Sequence, residues 1–226
     1  MTGKVPILTI DGPSGAGKGT IARRVAHALE WHLLDSGALY RLVALAARSA
    51  GLDPANEAAH EACAAALSVR FSSTSAGEEQ IWLAGKDVTS AIRTERAGDD
   101  ASRVAVMPGV RKALVNRQRD FAQPPGLVAD GRDMGTVIFP NADCKIFLSA
   151  APDERARRRH KQLKDKGLDV SLAALSREIA ERDQRDLSRT VAPLVPASDA
   201  LILDTTSLSI DAVVERVLSA VHERVG

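Results

Sequence analysis

The sequence predicts an α/β protein built on a parallel, doubly wound sheet, and three observations carry this prediction. Short apolar runs rich in β-branched residues recur along the chain, the first of them at residues 5–10. Segments with apolar residues at helical spacing separate these runs. A glycine-rich stretch joins the first run to the first helix. Because strands that alternate with helices indicate a sheet covered on both faces, we expect five parallel strands flanked by helices.

Composition and charge argue against several classes of protein. Hydrophobic residues make up 45% and charged residues 26% of the 226 residues, which is ordinary for a globular protein. The formal net charge of +1 does not favour a general nucleic-acid or membrane-surface binder. Cys63 and Cys144 form no CxxC motif and have no histidine at metal-ligand spacing, so we expect buried thiols in a reducing compartment. We find neither a secretory leader nor a membrane-spanning run, and expect a cytoplasmic protein.

The glycine-rich stretch at residues 12–20, GPSGAGKGT, has the spacing of a phosphate-binding loop. Its backbone N–H groups and the N-terminus of the following helix would hold an anion, and Lys18 would contact the β- and γ-phosphates of a nucleotide. Gly19 stands where many such loops have Ser or Thr, and in this the loop resembles that of nucleoside monophosphate kinases. The residues expected to bind ATP are Gly12, Pro13, Ser14, Gly15, Ala16, Gly17, Lys18, Gly19 and Thr20.

A second strand and two helices follow the loop and its helix. Residues 31–34 form a short apolar run that predicts a strand. Asp35 or Ser36 would cap the next helix, which would end near Gly51. Residues 57–67 are alanine-rich, and we expect them to be helical.

A small β insert then interrupts the helices. Residues 69–72 and 81–83 indicate short antiparallel strands joined by a polar turn over 74–79, and residues 84–87 continue the pattern. We expect an insert at residues 64–100 on the α/β core.

Strands and helices alternate again in the rest of the chain. The predicted segments are helical residues 101–121 with a second helix starting at Pro108, strands at 127–129 and 145–148, helices at 152–166 and 172–187, a strand at 201–204, and a last helix from about Ile210.

Polar residues follow two of the buried strands. Residues 130–133, DGRD, come directly after the strand at 127–129, while Ser36, Tyr40 and Arg41 follow the second strand. The carboxyl ends of parallel strands meet at one edge of a sheet, where ligands gather, so we expect these side chains near the phosphate loop. A solvated turn at 130–133 and plain helix capping by Asp35 and Ser36 remain open as alternatives.

Charged residues near the C-terminal helices form another candidate group. Arg182, Asp186 and Arg189 recur at helical spacing, and residues 157–159 are three consecutive arginines. Such charges usually form a solvated, mutually paired surface. Phosphoryl transfer, however, depends on neutralising the charge of the transferring group, and arginines closing over a phosphate loop would do this.

Five segments together resemble bacterial cytidylate kinases: GPSGAGKGT, LLDSGALYR, ADGRDMGTVIFP, ERDQRDLSR and VAPLVPASDALILDTT. The resemblance covers nearly the whole chain. It implies a P-loop kinase that transfers the γ-phosphoryl group of ATP to CMP or dCMP with Mg²⁺ bound to the ATP. It also implies a core at 1–63 and 101–226 with a lid at about 152–189, and CMP binding by the small mixed β insert at 64–100.

The resemblance further assigns roles to individual residues. The residues implied to be catalytic are Lys18, Arg132, Arg158, Arg159 and Arg182. Those implied to bind CMP are Ser36, Tyr40, Arg41, Ser102, Arg111, Arg132, Asp133, Arg182, Asp186 and Arg189. Among them, Ser36, Arg41 and Arg132 would hold the acceptor phosphate, while Ser102, Arg111 and Asp133 would face the cytosine. Asp186 and Arg189 would contact the sugar. No protein side chain is assigned as a metal ligand.

Two other functions remain as alternatives. A related kinase could use UMP or AMP as the acceptor, and only a comparison of acceptors separates it from a CMP kinase. A nucleotide-binding switch without turnover would want a hydroxyl residue directly after Lys18 and an N-K-x-D segment, and the sequence has neither. The expected partners are ATP and CMP or dCMP, with no nucleic acid and no membrane, and we expect a monomer.

Overall fold

The computed structural model describes residues 4–73, 79–165 and 167–225. Its strands are β1 (Ile7–Asp11), β2 (His32–Asp35), β3 (Val69–Ser73), β4 (Glu79–Leu83), β5 (Lys86–Asp87), β6 (Leu127–Gly131), β7 (Cys144–Ser149) and β8 (Leu201–Asp204). Its α-helices are α1 (Lys18–Leu29), α2 (Ser36–Ser49), α3 (Glu57–Ala65), α4 (Glu95–Val104), α5 (Pro108–Arg119), α6 (Pro152–Lys164), α7 (Leu172–Leu187) and α8 (Ile210–Val225).

In the described part of the chain, five strands form one parallel sheet in the order β2-β6-β1-β7-β8. This confirms the predicted parallel sheet. The register pairs Ile10 with Asp130 on one side and with Ile146 on the other. On the other side of β6, Asp35 pairs with Asp130. The carboxyl ends of β1, β2 and β6 therefore bring Asp11, Asp35 and Asp130 to one edge of the sheet.

The core beside this sheet is apolar and fully enclosed. Leu8 and Ile10 of β1 and Ile146 of β7 pack against Val25 of α1 and Val217 of α8, and all of them are buried. The central strands are mostly apolar because both faces of a parallel sheet are covered by helices. This core fixes the end of β1, from which the glycine-rich loop emerges.

Strands β3, β4 and β5 form a separate antiparallel sheet. Phe71 pairs with Ile81, and Trp82 pairs with both Arg70 and Asp87. The predicted short antiparallel strands are thus confirmed. Most of the turn predicted over 74–79 lies outside the described residues.

The described residues divide into two compact units. The first unit comprises residues 1–35 and 118–226 and contains the parallel sheet; the second comprises residues 36–117 and contains the antiparallel sheet. Within the second unit, α2 packs against α4. The insert boundaries at 64–100 and the lid at about 152–189 remain predictions.

Two local structures differ from the sequence-based expectation. Helix α4 begins at Glu95, earlier than expected, because the Thr94 hydroxyl accepts a hydrogen bond from the Ala97 N–H at 3.2 Å and caps it. A π-helical turn at Met134–Ile138 follows β6, and no local pattern predicted it. Among the described residues, no helix has the length and apolar character needed to span a bilayer.

Candidate active site

The glycine-rich loop adopts a backbone that only glycines permit easily. Gly12, Gly15 and Gly17 have φ values of 147°, 79° and 93°. Gly12 also lies so close to β7 that an added Cβ would stand 2.1 Å from the Leu148 carbonyl oxygen. Helix α1 starts at Lys18, directly after the last of these glycines. The predicted order of strand, glycine loop and helix is therefore confirmed. The N–H groups at the N-terminus of α1 suit an anion.

Lys18 lies in a buried and cation-rich environment. Its side-chain Nζ donates a hydrogen bond to the Pro13 carbonyl oxygen at 2.9 Å, within the same loop. Burial lowers the pKa of Lys18, and the charges of Arg132 and Arg182 lower it further, while Asp130 and Asp186 act in the opposite direction. A polyanion would relieve the repulsion among the cations, so the arrangement suits phosphates.

Asp130 provides a carboxylate beside the start of α1. An added methyl group at Gly19 would lie 3.3 Å from the Asp130 Oδ2 atom, which shows how closely that oxygen approaches the helix. Burial raises the pKa of Asp130, Asp35 adds to this effect, and Lys18 and Arg132 oppose it. The absence of a side chain at Gly19 leaves room for this carboxylate.

Arg132, Asp186 and Arg189 form a buried charge cluster. The Arg132 Nε donates to the Asp186 Oδ2 at 2.7 Å, and the Arg189 Nη2 donates to the other carboxylate oxygen. Burial raises the pKa of Asp186, but the two arginines outweigh burial and lower it overall. Asp186 is 1% exposed, so this is not a solvated surface pair. Helix α7 ends at Leu187, and Arg189 reaches Asp186 from beyond the helix.

Asp133 lies at the entrance to the π-helical turn, and Asp11 holds that turn. The Asp133 side chain is buried, and its carbonyl oxygen accepts hydrogen bonds from the N–H groups of Val137 and Ile138. The two carboxylate oxygens of Asp11 accept the N–H groups of Met134 and Gly135, each at 2.8 Å. Asp11 therefore links the strand that leads into the phosphate loop to the turn that carries Asp133.

The arginines of α6 differ in what they contact. Arg158 donates from Nε to Glu154 at 3.0 Å, from Nη1 to the Thr205 hydroxyl at 3.1 Å, and from Nη2 to the Thr205 carbonyl oxygen. Thr205 in turn lies 3.3 Å from the Ala16 carbonyl oxygen of the phosphate loop. Arg159 donates to Gln162 on its own helix. In the structure, Arg158 is thus tied to the segment after β8.

The second unit contains the remaining candidate residues. Arg111 is buried and lies over the Tyr40 ring, with its Cζ atom 5.9 Å from the ring centroid. Arg41 donates to the Ile92 carbonyl oxygen at 3.4 Å. The Ser102 hydroxyl is buried and has no hydrogen-bond partner among the described residues. An unsatisfied buried hydroxyl of this kind suits a polar ligand. Ser36 begins α2 and is buried.

The sequence of this chain matches a known family over almost its full length. The model of the cytidylate kinase family matches residues 8–223. The chain belongs to the cytidylate kinase family. The match spans the glycine loop, the insert and the arginine-bearing helices, and it confirms the resemblance stated above.

Individual cytidylate kinases are similar to this chain from end to end. That of Pseudomonas savastanoi pv. phaseolicola (strain 1448A / Race 6) is 60% identical, with 98% of this chain and 97% of the relative covered. That of Pseudomonas aeruginosa (strain LESB58) is 58% identical over 96% of each. That of Azotobacter vinelandii (strain DJ / ATCC BAA-1303) is 56% identical, with 99% and 98% covered.

Similarity to solved structures is weaker. A gluconokinase from Sinorhizobium meliloti 1021 covers 97% of this chain, and this chain covers 93% of it, at 14% identity and a TM-score of 0.48. The family model and the curated relatives carry the family assignment.

For a cytidylate kinase, the structure adds residues that sequence reasoning did not assign. Asp130 was expected near the phosphate loop only as part of the segment at 130–133, and Asp11 was not singled out, although the charge of Lys18 acts on both carboxylates. Arg155 was overlooked next to the arginine run at 157–159. The available signals were the position of Asp11 and Asp130 at strand ends and that of Arg155 two residues before the run. The assigned site residues themselves remain predictions.

The metal implied by ATP-dependent transfer is compatible with this donor set. Among the described residues, no group of three or more His, Cys, Asp or Glu side chains is arranged to hold an ion. Mg²⁺ commonly takes only one or two carboxylates and completes its shell with water and substrate phosphates. Asp130 supplies such a carboxylate at the start of α1.

Proposed function

We propose that the protein transfers the γ-phosphoryl group of ATP to CMP or dCMP, giving ADP and CDP or dCDP. The observation that carries this proposal is the phosphate loop with Lys18, Arg132 and Arg182 close enough to depress the pKa of Lys18. Asp130 and Asp186 offset part of the repulsion among these three cations, and bound phosphates would offset the rest. The reaction of the cytidylate kinase family supplies those phosphates from both substrates.

In the proposed reaction, ATP binds the loop at residues 12–20, and Lys18 contacts its β- and γ-phosphates. An oxygen of the acceptor phosphate forms the new bond to the γ-phosphorus, while the bond to the β,γ-bridging oxygen breaks and ADP leaves. The acceptor oxygen is already anionic, so no general base is needed. Arg132, Arg182 and the α6 arginines, Arg158 and Arg159, neutralise the charge that is spread over the transferring group.

Mg²⁺ accompanies ATP in this proposal. Asp130 and the hydroxyl of Thr20 are the protein groups that would hold the ion or its water shell, and the ion supplies neutralisation of phosphate charge.

The acceptor nucleotide is proposed to use the CMP-binding residues that the resemblance assigns. In the second unit, Ser36 and Arg41 would bind the phosphate, Ser102 and Arg111 the cytosine, and Tyr40 lies against Arg111. In the first unit, Arg132 would bind the phosphate and Asp133 the cytosine amino group. Asp186 and Arg189 would contact the sugar, and the buried pair that they form would hold Arg189 in place.

One acceptor panel tests the proposal. ADP formation from ATP is measured with CMP, dCMP, UMP and AMP in parallel. We expect CMP and dCMP to be phosphorylated with kcat/KM well above that for UMP, and AMP to be negligible. Comparable efficiency with UMP or AMP would overturn the choice of acceptor, and no turnover with any of the four would overturn the kinase activity.

We also propose that the protein acts in the cytoplasm, where ATP and CMP are available, and as a monomer. Light scattering of the purified protein tests the second statement. A stable dimer at micromolar concentration would contradict it.

A further inference from the structure

Arg155 of α6 is a buried arginine that holds three separate parts of the first unit. Its residue exposure is 3%. Its Nη1 donates to the Ser14 carbonyl oxygen of the phosphate loop at 3.0 Å, and its Nε donates to the Ala150 carbonyl oxygen at the end of β7 at 3.0 Å. Both terminal nitrogens also bond the Asp183 carboxylate of α7, at 3.0 and 2.6 Å.

These contacts leave Arg155 a role different from that of a phosphate-binding arginine. The bidentate pair and the two bonds to carbonyl groups use four of the five N–H donors of the guanidinium. Its backbone is equally close to the loop, because an added Cβ at Gly15 would lie 3.0 Å from the Arg155 Cβ. Arg155 therefore contacts the loop at Ser14 and Gly15, and most of its donors are used by the protein itself.

The partner on α7 has a consequence for the charge cluster. Asp183 directly follows Arg182 and lies one helical turn before Asp186, which bonds Arg132 and Arg189. The bonds from Arg155 to Asp183 thus help to position the turn of α7 that carries Arg182. The same guanidinium sets the position of Ser14, so loop and helix are aligned by one side chain.

We propose that Arg155 is a positioning residue which, together with Asp183, aligns the phosphate loop with the α7 turn bearing Arg182. The inference rests on the proposed kinase function, because in that function the phosphate loop and Arg182 contact the same nucleotide phosphates. Arg155 acts through Ser14 and Asp183 and touches neither nucleotide.

The test replaces the pair by apolar residues, Arg155→Met with Asp183→Leu. Replacing a buried ion pair by apolar side chains of similar size often preserves stability, whereas removing one partner alone does not. We expect a melting temperature close to that of the wild type. We also expect kcat to fall and the Kd of ADP, measured by calorimetry, to rise, each about tenfold or more, because a small misplacement of reacting groups costs up to roughly a hundredfold.

A merely structural pair gives a different result. If stability is all that the pair supplies, the stable double variant recovers wild-type kcat and ADP affinity, and this result overturns the proposal. Arg155→Lys keeps the positive charge but cannot bond Ser14 and Asp183 together. We therefore expect its kcat to lie below that of the wild type. If the double variant does not fold, Asp183→Asn is used instead, because it keeps the side-chain volume. Unchanged kcat and ADP affinity of this variant would overturn the proposal, and losses of about threefold or more in both would support it.

A matched control comes from another arginine–aspartate pair between two helices of the same unit. Arg24 of α1 pairs with Asp211 of α8 at 2.6 Å, with side chains 49% and 72% exposed. Arg24→Met with Asp211→Leu should leave kcat and ADP affinity unchanged. Failure of the proposed function is seen separately, as a wild type that does not phosphorylate CMP. In that case the positioning role is tested by ADP affinity alone, and a Kd of ADP equal to that of the wild type overturns it.

Discussion

Among single residues, Lys18 is the one whose substitution is expected to lower kcat most. It is the first residue of α1, and its ammonium group donates a hydrogen bond to the Pro13 carbonyl oxygen of its own loop. We expect Lys18→Ala to fold normally and to lose roughly a hundredfold to a thousandfold in kcat, since it removes an electrostatic contact to the transferring group. Steady-state ADP formation with ATP and CMP measures the loss.

The control for this change is Lys4→Ala. Lys4 is an exposed lysine paired with Asp143 at 2.5 Å, so its removal should leave kcat unchanged. A Lys18→Ala enzyme within a factor of three of the wild type would contradict the assignment of this loop as the ATP site.

Asp133 is expected to choose the base. Cytosine presents an N4 amino donor, which a carboxylate accepts, whereas uracil presents an acceptor oxygen at that position. An unmade hydrogen bond of a buried group costs about 1–3 kcal/mol, and more for a charged group, so discrimination of roughly tenfold to several hundredfold follows. Asp133→Ala should therefore narrow the CMP-over-UMP ratio of kcat/KM, chiefly by impairing CMP.

The exposed Asp120 offers a matched carboxylate for comparison. Asp120→Ala should keep the wild-type ratio between the two acceptors. If Asp133→Ala keeps it as well, Asp133 does not read the base.

Among the elements, α6 and α7 are the ones expected to respond to both substrates. They carry the arginines assigned to the lid at about 152–189, and they pack against each other. If the arginines close over the nucleotides, the backbone amides of these helices exchange more slowly with ADP and CMP bound than without ligands. Hydrogen exchange detected by mass spectrometry measures the difference.

Helix α8 is the internal reference for that experiment. It packs against α1 in the core of the first unit and carries none of the assigned residues, so its protection should not change. Equal protection of α6 and α7 with and without nucleotides would leave their charges as a static part of the fold.

For the whole molecule, Asp11 predicts how stability depends on pH. Burial raises its pKa from 3.8 to about 7, against the pull of the Gly135 and Met134 N–H groups, while Asp133 adds to the rise and Lys18 opposes it. The folded state then binds this proton more tightly than the unfolded chain. Stability from this group is full below pH 4 and is lost as pH rises towards 7, by roughly 4 kcal/mol in all.

Asp11→Asn removes this titration. Urea unfolding at several pH values between 4.5 and 7.5 should show the wild type losing stability relative to the variant as pH rises. Other titrating groups, such as Asp130, are common to both proteins and largely cancel in the difference. If the free energies of unfolding of the wild type and the variant change in parallel with pH, Asp11 does not titrate in this range.

Much of this fold was predictable from local pattern. Helix α7 spans Leu172–Leu187 and β8 spans Leu201–Asp204 at their predicted bounds, because apolar spacing over a few residues already distinguishes helix from strand. The turn at residues 12–17 was predictable for the same reason, since glycines at fixed spacing permit the positive φ angles found there. The start of α4 was missed because Thr94 caps it through a single hydrogen bond.

By itself, then, the sequence determined the elements, the phosphate loop and the family, all of which follow from neighbouring residues or from whole motifs. Only the tertiary structure decided that β6 lies beside β1, that Asp11 accepts N–H groups 123 and 124 residues further on, and that Arg155 pairs with Asp183. The physical reason is that these contacts join residues distant along the chain. Their energies depend on which strands and helices pack together, and no local periodicity records that choice.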